Sequence, residues 1–152
     1  MKSIKTLTLS LFAFTFFGFT QTITKSVNIE NSVITWTGYK VMGQHEGTIT
    51  LKEGVLVFEN ENLTGGEFII DMTTINTTDL QGGSKNRLDG HLKDEDFFDV
   101  NNYNTSAMTF KNVKPYGSSY LIEADLTIKG ITKNVAFEMN VYENTATANL
   151  KI

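Results

Sequence analysis

The chain contains no cysteine. That absence excludes a disulfide framework, a thiolate metal site, thiol catalysis and a lipid anchor attached through cysteine. Histidine is nearly as scarce, with only His45 and His91. Neither sits in an HExxH run or a comparable ligand spacing, so the chain carries no recognisable metal motif. A GxSxG elbow and a P-loop lysine pattern are also missing. The formal net charge is −4 and no basic stripe runs along the chain, which argues against nucleic acid as a partner. Proline occurs once against twelve glycines, a balance that suits strands joined by tight turns better than a disordered linker.

Long apolar runs are confined to the first twenty residues. Lys2 and Lys5 form a positive start, Leu7 to Phe17 an apolar stretch, and Gly18 and Thr20 offer small residues before Gln21. This is the layout of a secretory signal peptide over residues 1–20, cleaved before Gln21. The stretch is too short, and wrongly flanked, for a membrane span, although an uncleaved anchor is the rival reading. No stable membrane insertion is expected after cleavage. Residues 21–152 then form one domain of about 130 residues, long enough for one sizeable core.

Beyond the leader, hydrophobicity alternates with a period of two. Ser32–Lys40 sets Val33, Thr35, Thr37 and Tyr39 against Ile34, Trp36, Gly38 and Lys40. Phe68, Ile70 and Met72 share a face, as do Met108 and Phe110. Tyr120, Ile122, Ala124, Leu126 and Ile128 form the cleanest alternation, followed by Val135, Phe137, Met139 and Val141. Glu53-Gly54 and Lys129-Gly130 read as hairpin turns, Gly65-Gly66 as the lead into a strand, and Thr145–Ile152 as a last, weaker strand. Strands at such short intervals, apolar on one face, predict an antiparallel sandwich or barrel.

One segment breaks this rhythm. Leu88, His91, Leu92 and Glu95 fall at helical spacing, which predicts a short helical insert around residues 84–98 with Ser84 as its N-cap. Phe97 and Phe98 follow among four acids, Asp94, Glu95, Asp96 and Asp99. Burying both rings would contribute about 3–6 kcal/mol, so the pair is expected to cap a core or a ligand cavity. His91 is expected to brace the insert by hydrogen bonding. An enzyme using His91 and the nearby acids is a weaker alternative, and no catalytic residue, cofactor or metal is assigned.

Several fragments in order carry a family resemblance. Trp36-Thr-Gly through Gln44-His-Glu-Gly-Thr-Ile, Gly65-Gly66-Glu-Phe-Ile-Ile-Asp-Met, Gly90-His-Leu-Lys-Asp-Glu-Asp-Phe-Phe-Asp-Val and Asp125-Leu-Thr-Ile-Lys-Gly-Ile-Thr-Lys-Asn-Val-Ala-Phe resemble a YceI-like domain. That family is lipocalin-like and polyisoprenoid-binding. The resemblance implies an all-β fold, an extended antiparallel barrel with an elongated apolar interior. It further implies a periplasmic or secreted bacterial protein that sequesters or carries a polyisoprenoid, quinone tail or fatty chain. Candidate lining residues are Tyr39, Phe68, Ile70, Phe97, Tyr120, Ile122, Leu126, Phe137 and Met139. The competing expectation is that these side chains simply fill a core. Two departures stand out: Tyr103-Asn104 replaces the family's Tyr-Pro, and the pattern lacks its C-terminal strand, as in a truncated domain. An unclosed barrel has an unpaired edge, which opens the alternatives of homodimerisation and of a non-catalytic interaction module.

Overall fold

The computed structural model describes residues 21–152. The leader expected over residues 1–20 lies outside them. Eight antiparallel strands and one helix follow each other as β1 (Thr22–Ser26), β2 (Ile34–Lys40), β3 (Gly43–Glu59), β4 (Asn62–Thr77), α1 (Gly82–Lys93), β5 (Thr105–Tyr116), β6 (Ser119–Ile128), β7 (Ile131–Tyr142) and β8 (Thr145–Ala148). The strands form one sheet in the order β1-β3-β4-β5-β6-β7-β8, with β2 also paired to β3. The sheet curls into a half-barrel, in line with the antiparallel all-β architecture expected from the alternation. Among the described residues no strand joins β8 to β1 or β2.

β1 and β2 share one edge of β3. Thr22 pairs with Glu59 and Ser26 with Val55, and then Ile34 pairs with Ile49 and Lys40 with Gly43. They act as one strand interrupted by residues 27–33. The Val27 N–H still reaches the Gly54 carbonyl at 2.8 Å before the chain departs. β3 and β4 are 17 and 16 residues long, far beyond a typical strand of about six. Register shifts at Thr48/Thr50, Leu51/Glu53 and Val57/Phe58 let so long a pair bend, because each extra residue locally adds twist.

Glu53-Gly54 therefore does not turn the chain: it lies inside β3 beside one of these bulges. The turn is at Asn60-Glu61, with φ of 47° and 69°, the left-handed pair that a two-residue hairpin requires. Gly65-Gly66 likewise lies within β4. Lys129-Gly130 does form the β6–β7 turn, with φ of 50° and 70°. The last strand is shorter than expected, ending at Ala148.

The core lies on the inner face. Leu56, Phe58, Leu63, Ile122, Ala124, Phe137 and Met139 form a buried cluster, against which Phe68, Met108, Phe110, Val113 and Tyr120 pack. The Phe110 ring stands 5.6 Å from Phe68 and 5.9 Å from Phe137, centroid to centroid. Further along β3 and β4, toward α1, Leu51, Met72 and Ile75 are buried as well.

The helical insert is present but shifted. α1 begins at Gly82, and Gln81 rather than Ser84 occupies the N-cap position, with extended backbone and no side-chain cap bond. Leu92 is buried and Leu88 half-buried, so the leucine stripe does face the protein. The helix is tied to the end of β4 through Asp89. One carboxylate oxygen accepts the N–H of buried Thr77 at 2.8 Å; the other accepts from Lys85, whose ammonium also reaches Asn76 Oδ1 at 2.6 Å.

Candidate functional site

Residues directly opposite each other in an antiparallel pair project to the same face, so the strand registers define the concave surface row by row. One row runs Leu56 to Gly66, and Phe110 to Ala124 to Val135. The next runs Gly54, Phe68, Met108, Leu126 and ends on Lys133. Leu51, Ile70 and Ser106 begin a third, with Ile128 opposite Ile131 further along. Toward the buried cluster these side chains are enclosed. Phe68, Ile70, Met108, Leu126, Ile128 and Val135 are only half-buried and leave an apolar strip along the inner face.

The sequence candidates divide accordingly. Ile122, Phe137 and Met139 belong to the buried core, and Tyr120 packs against it, its hydroxyl accepting the Leu63 N–H at 3.3 Å. Phe68, Ile70 and Leu126 border the half-covered strip. Tyr39 does not belong with them. It pairs with Gln44, one position out of step with Gly47 and Ile49, so it projects to the outer face and is 77% exposed. The alternation in β2 was legible, but its inward set is Ile34 and Trp36. Phe97 also stands apart, 44% exposed after α1, with its ring edge-on to Phe98 at 4.7 Å and 5.5 Å from His91. Only Phe98 of the pair is half-buried. Met108, Phe110 and Val135 were missed as lining residues, although Met108 and Phe110 already shared a face in the sequence.

Trp36 lies over Gly47, and its Nε1–H donates to the Thr48 carbonyl at 3.1 Å. A Cβ at Gly47 would fall 2.0 Å from the Asn76 carbonyl oxygen and 2.5 Å from the indole, so no other residue fits there unmoved.

The two histidines serve different surroundings. His45 has both ring nitrogens engaged: Nδ1 with Asp79 Oδ2 and Nε2 with Lys40 Nζ, each at 2.8 Å. A lysine ammonium only donates, so Nε2 accepts and Nδ1 carries the proton to the carboxylate. Asp79 also accepts the Glu46 N–H at 3.2 Å. The His45 hydrogen bond, with the backbone donors, holds the Asp79 carboxyl below its ordinary range despite some desolvation. The group pins the β2–β3 hairpin to the segment before α1 and leaves His45 no free nitrogen. His91 is exposed, and its ring contact is with Phe97 rather than an acid, so it is not the hydrogen-bonded brace expected. Among the described residues no group of three or more His, Asp and Glu is arranged to hold a metal ion.

Two recesses of about 280 and 390 Å³ lie elsewhere. The first is bordered by Glu138, Asn140 and Thr147 at β7–β8, the second by Gly90, Lys93, Asp94 and Asn101 beside α1. Neither includes the apolar strip. No helix among the described residues is long and apolar enough to cross a membrane.

A curled antiparallel sheet with a helical insert and an apolar inner face defines a lipocalin-like half-barrel. The profile of the YceI-like domain matches residues 14–152, and the chain belongs to that family. It is 33% identical over 92 residues to Protein YceI of Shigella flexneri, covering 60% of this chain and 46% of that relative. To the UPF0312 protein plu2095 of Photorhabdus laumondii it is 30% identical over 89 residues, covering 59% and 44%. The chain thus spans a little under half the length of these relatives. The crystal structure of Burkholderia cenocepacia BcnA shares the fold, with a TM-score of 0.61 at 18% identity, covering 78% of this chain and 73% of that one.

Proposed function

We propose that this chain is an exported protein that sequesters or carries a long-chain apolar ligand: a polyisoprenoid, a quinone tail or a fatty chain. The observation that carries this reading is the half-covered strip of Phe68, Ile70, Met108 and Leu126 on the concave face. Its floor is the buried layer of Ile122, Phe137 and Met139. Each methylene removed from water contributes about 0.8 kcal/mol, and immobilising a ligand costs on the order of 4–15 kcal/mol. Several isoprene units, or a comparable acyl chain, must therefore lie against the strip for micromolar retention, which needs about 8 kcal/mol net. Family membership supports the same reading, as does the leader-like segment for export. Organic extraction of the protein purified from its native host, followed by mass spectrometry, is expected to recover a bound chain. Protein that is consistently empty would overturn the assignment.

A second reading concerns the edge. β7 pairs with β8 only from Met139 to Tyr142, and residues 131–138 have no partner on that side among the described residues. An edge of this kind can accept a strand from a second copy of the chain, giving a homodimer.

A further inference from the structure

We infer that Lys133 is the anion-binding end of the apolar strip, so that the preferred ligand is an amphiphile with a carboxylate or phosphate head. This deepens the reading above and rests on it. Lys133 lies directly opposite Leu126, which puts its side chain on the face that Leu126 shares with Ala124 and Ile122. It ends the row Gly54, Phe68, Met108, Leu126, which crosses four strands before reaching the cation. At about 4.8 Å per strand the row spans about 19 Å. An extended chain of about sixteen bonds covers that distance at about 1.2 Å per bond.

Four other lysines on or beside the sheet are placed differently. Lys111 and Lys114 lie on the outer face, where they meet Asp125 at 3.6 Å and Glu123 at 3.8 Å. Lys129 at the β6–β7 turn donates to the Glu95 carbonyl at 2.6 Å. Lys25, opposite Leu56 on the inner face, holds its ammonium 5.0 Å from the centre of the Phe58 ring. Lys133 is exposed, and its ammonium takes part in none of the ion pairs or side-chain hydrogen bonds among the described residues. An ammonium at the end of an apolar row, close to the rim, matches an anionic head on a chain that lies inward. The rival role of an inward-facing lysine on an edge strand is to prevent sheet-to-sheet pairing.

Competition binding on the full chain separates these roles. The neutral fluorophore N-phenyl-1-naphthylamine is displaced by hexadecanoate, hexadecyl phosphate or hexadecan-1-ol, which share one chain and differ in the head. The native protein is expected to bind at least one anion about fivefold more tightly than the alcohol, a preference that fades as salt is raised. The tighter of the two anions identifies the head. Lys133→Gln is expected to erase the preference while leaving the affinity for the alcohol unchanged, and Lys133→Arg to keep it. Equal binding of all three ligands by the native protein overturns the inference and leaves the carrier reading intact. So does a preference that survives in Lys133→Gln, or a variant that changes only its oligomeric state. If none of the three displaces the fluorophore, both readings fail.

Discussion

Gly66 and Phe110 are separated by the whole of α1, yet they meet on the inner face. A Cβ at Gly66 would lie 2.8 Å from the Phe110 ring and 3.1 Å from Leu56. Phe110 cannot readily yield, because it is wedged between Phe68 and Phe137. Gly66→Ala is therefore expected to destabilise the fold by about 1–3 kcal/mol through overpacking, read as a lower urea midpoint with an unchanged slope. Gly65→Ala serves as the control, since its Cβ would meet only Val57, at 3.5 Å. Equal losses in the two variants would rule out the steric account. In sequence, both glycines read as the lead into a strand. The demand on Gly66 comes from a ring on another strand, which local pattern cannot register.

At the scale of the element, α1 depends on Asp89 rather than on its own ends. Its N-cap residue makes no side-chain bond, and no acid occupies the first turn. Partial burial works to raise the Asp89 carboxyl. The hydrogen bonds from Lys85 and Thr77, together with the Lys85 charge, outweigh it and hold the group below its ordinary value. Asp89→Ala would leave the Thr77 N–H without its acceptor in a fully buried place, at a cost of about 1–3 kcal/mol. Because the folded value is lowered, this stabilisation is complete above the unfolded carboxyl range, about pH 4, and is lost as pH falls through the folded value. The stability gap between native protein and Asp89→Ala should thus be full at neutral pH and shrink in acid. Denaturant titrations at a series of pH values measure it, and a gap that widens in acid would contradict the sign. The helix itself was legible from Leu88 and Leu92. Its start was not, because Gly82 and Gly83, the first with φ of 56°, read as a turn in sequence.

At the scale of the whole molecule, residues 131–138 of β7 form an edge without a second partner strand among the described residues. Strand pairing by a second copy predicts a dimer whose population rises with protein concentration. Sedimentation velocity over a wide concentration range reads this, and a monomer throughout would remove the second reading. The concave strip follows from the sheet's curl, to which the bulges in β3 and β4 contribute.

The sequence alone determined the strand alternation, the inward set of β6 and β7, the helical insert and the family, because each is written in local period or in ordered short motifs. Ile122, Phe137 and Met139 were legible as inward residues for that reason. Only the tertiary structure decided which inward residues close into a core and which remain half-open. It also turned Tyr39 outward and placed Lys133 at the end of an apolar row. Those outcomes depend on register between strands distant in sequence, and a single slip of one residue reverses every face.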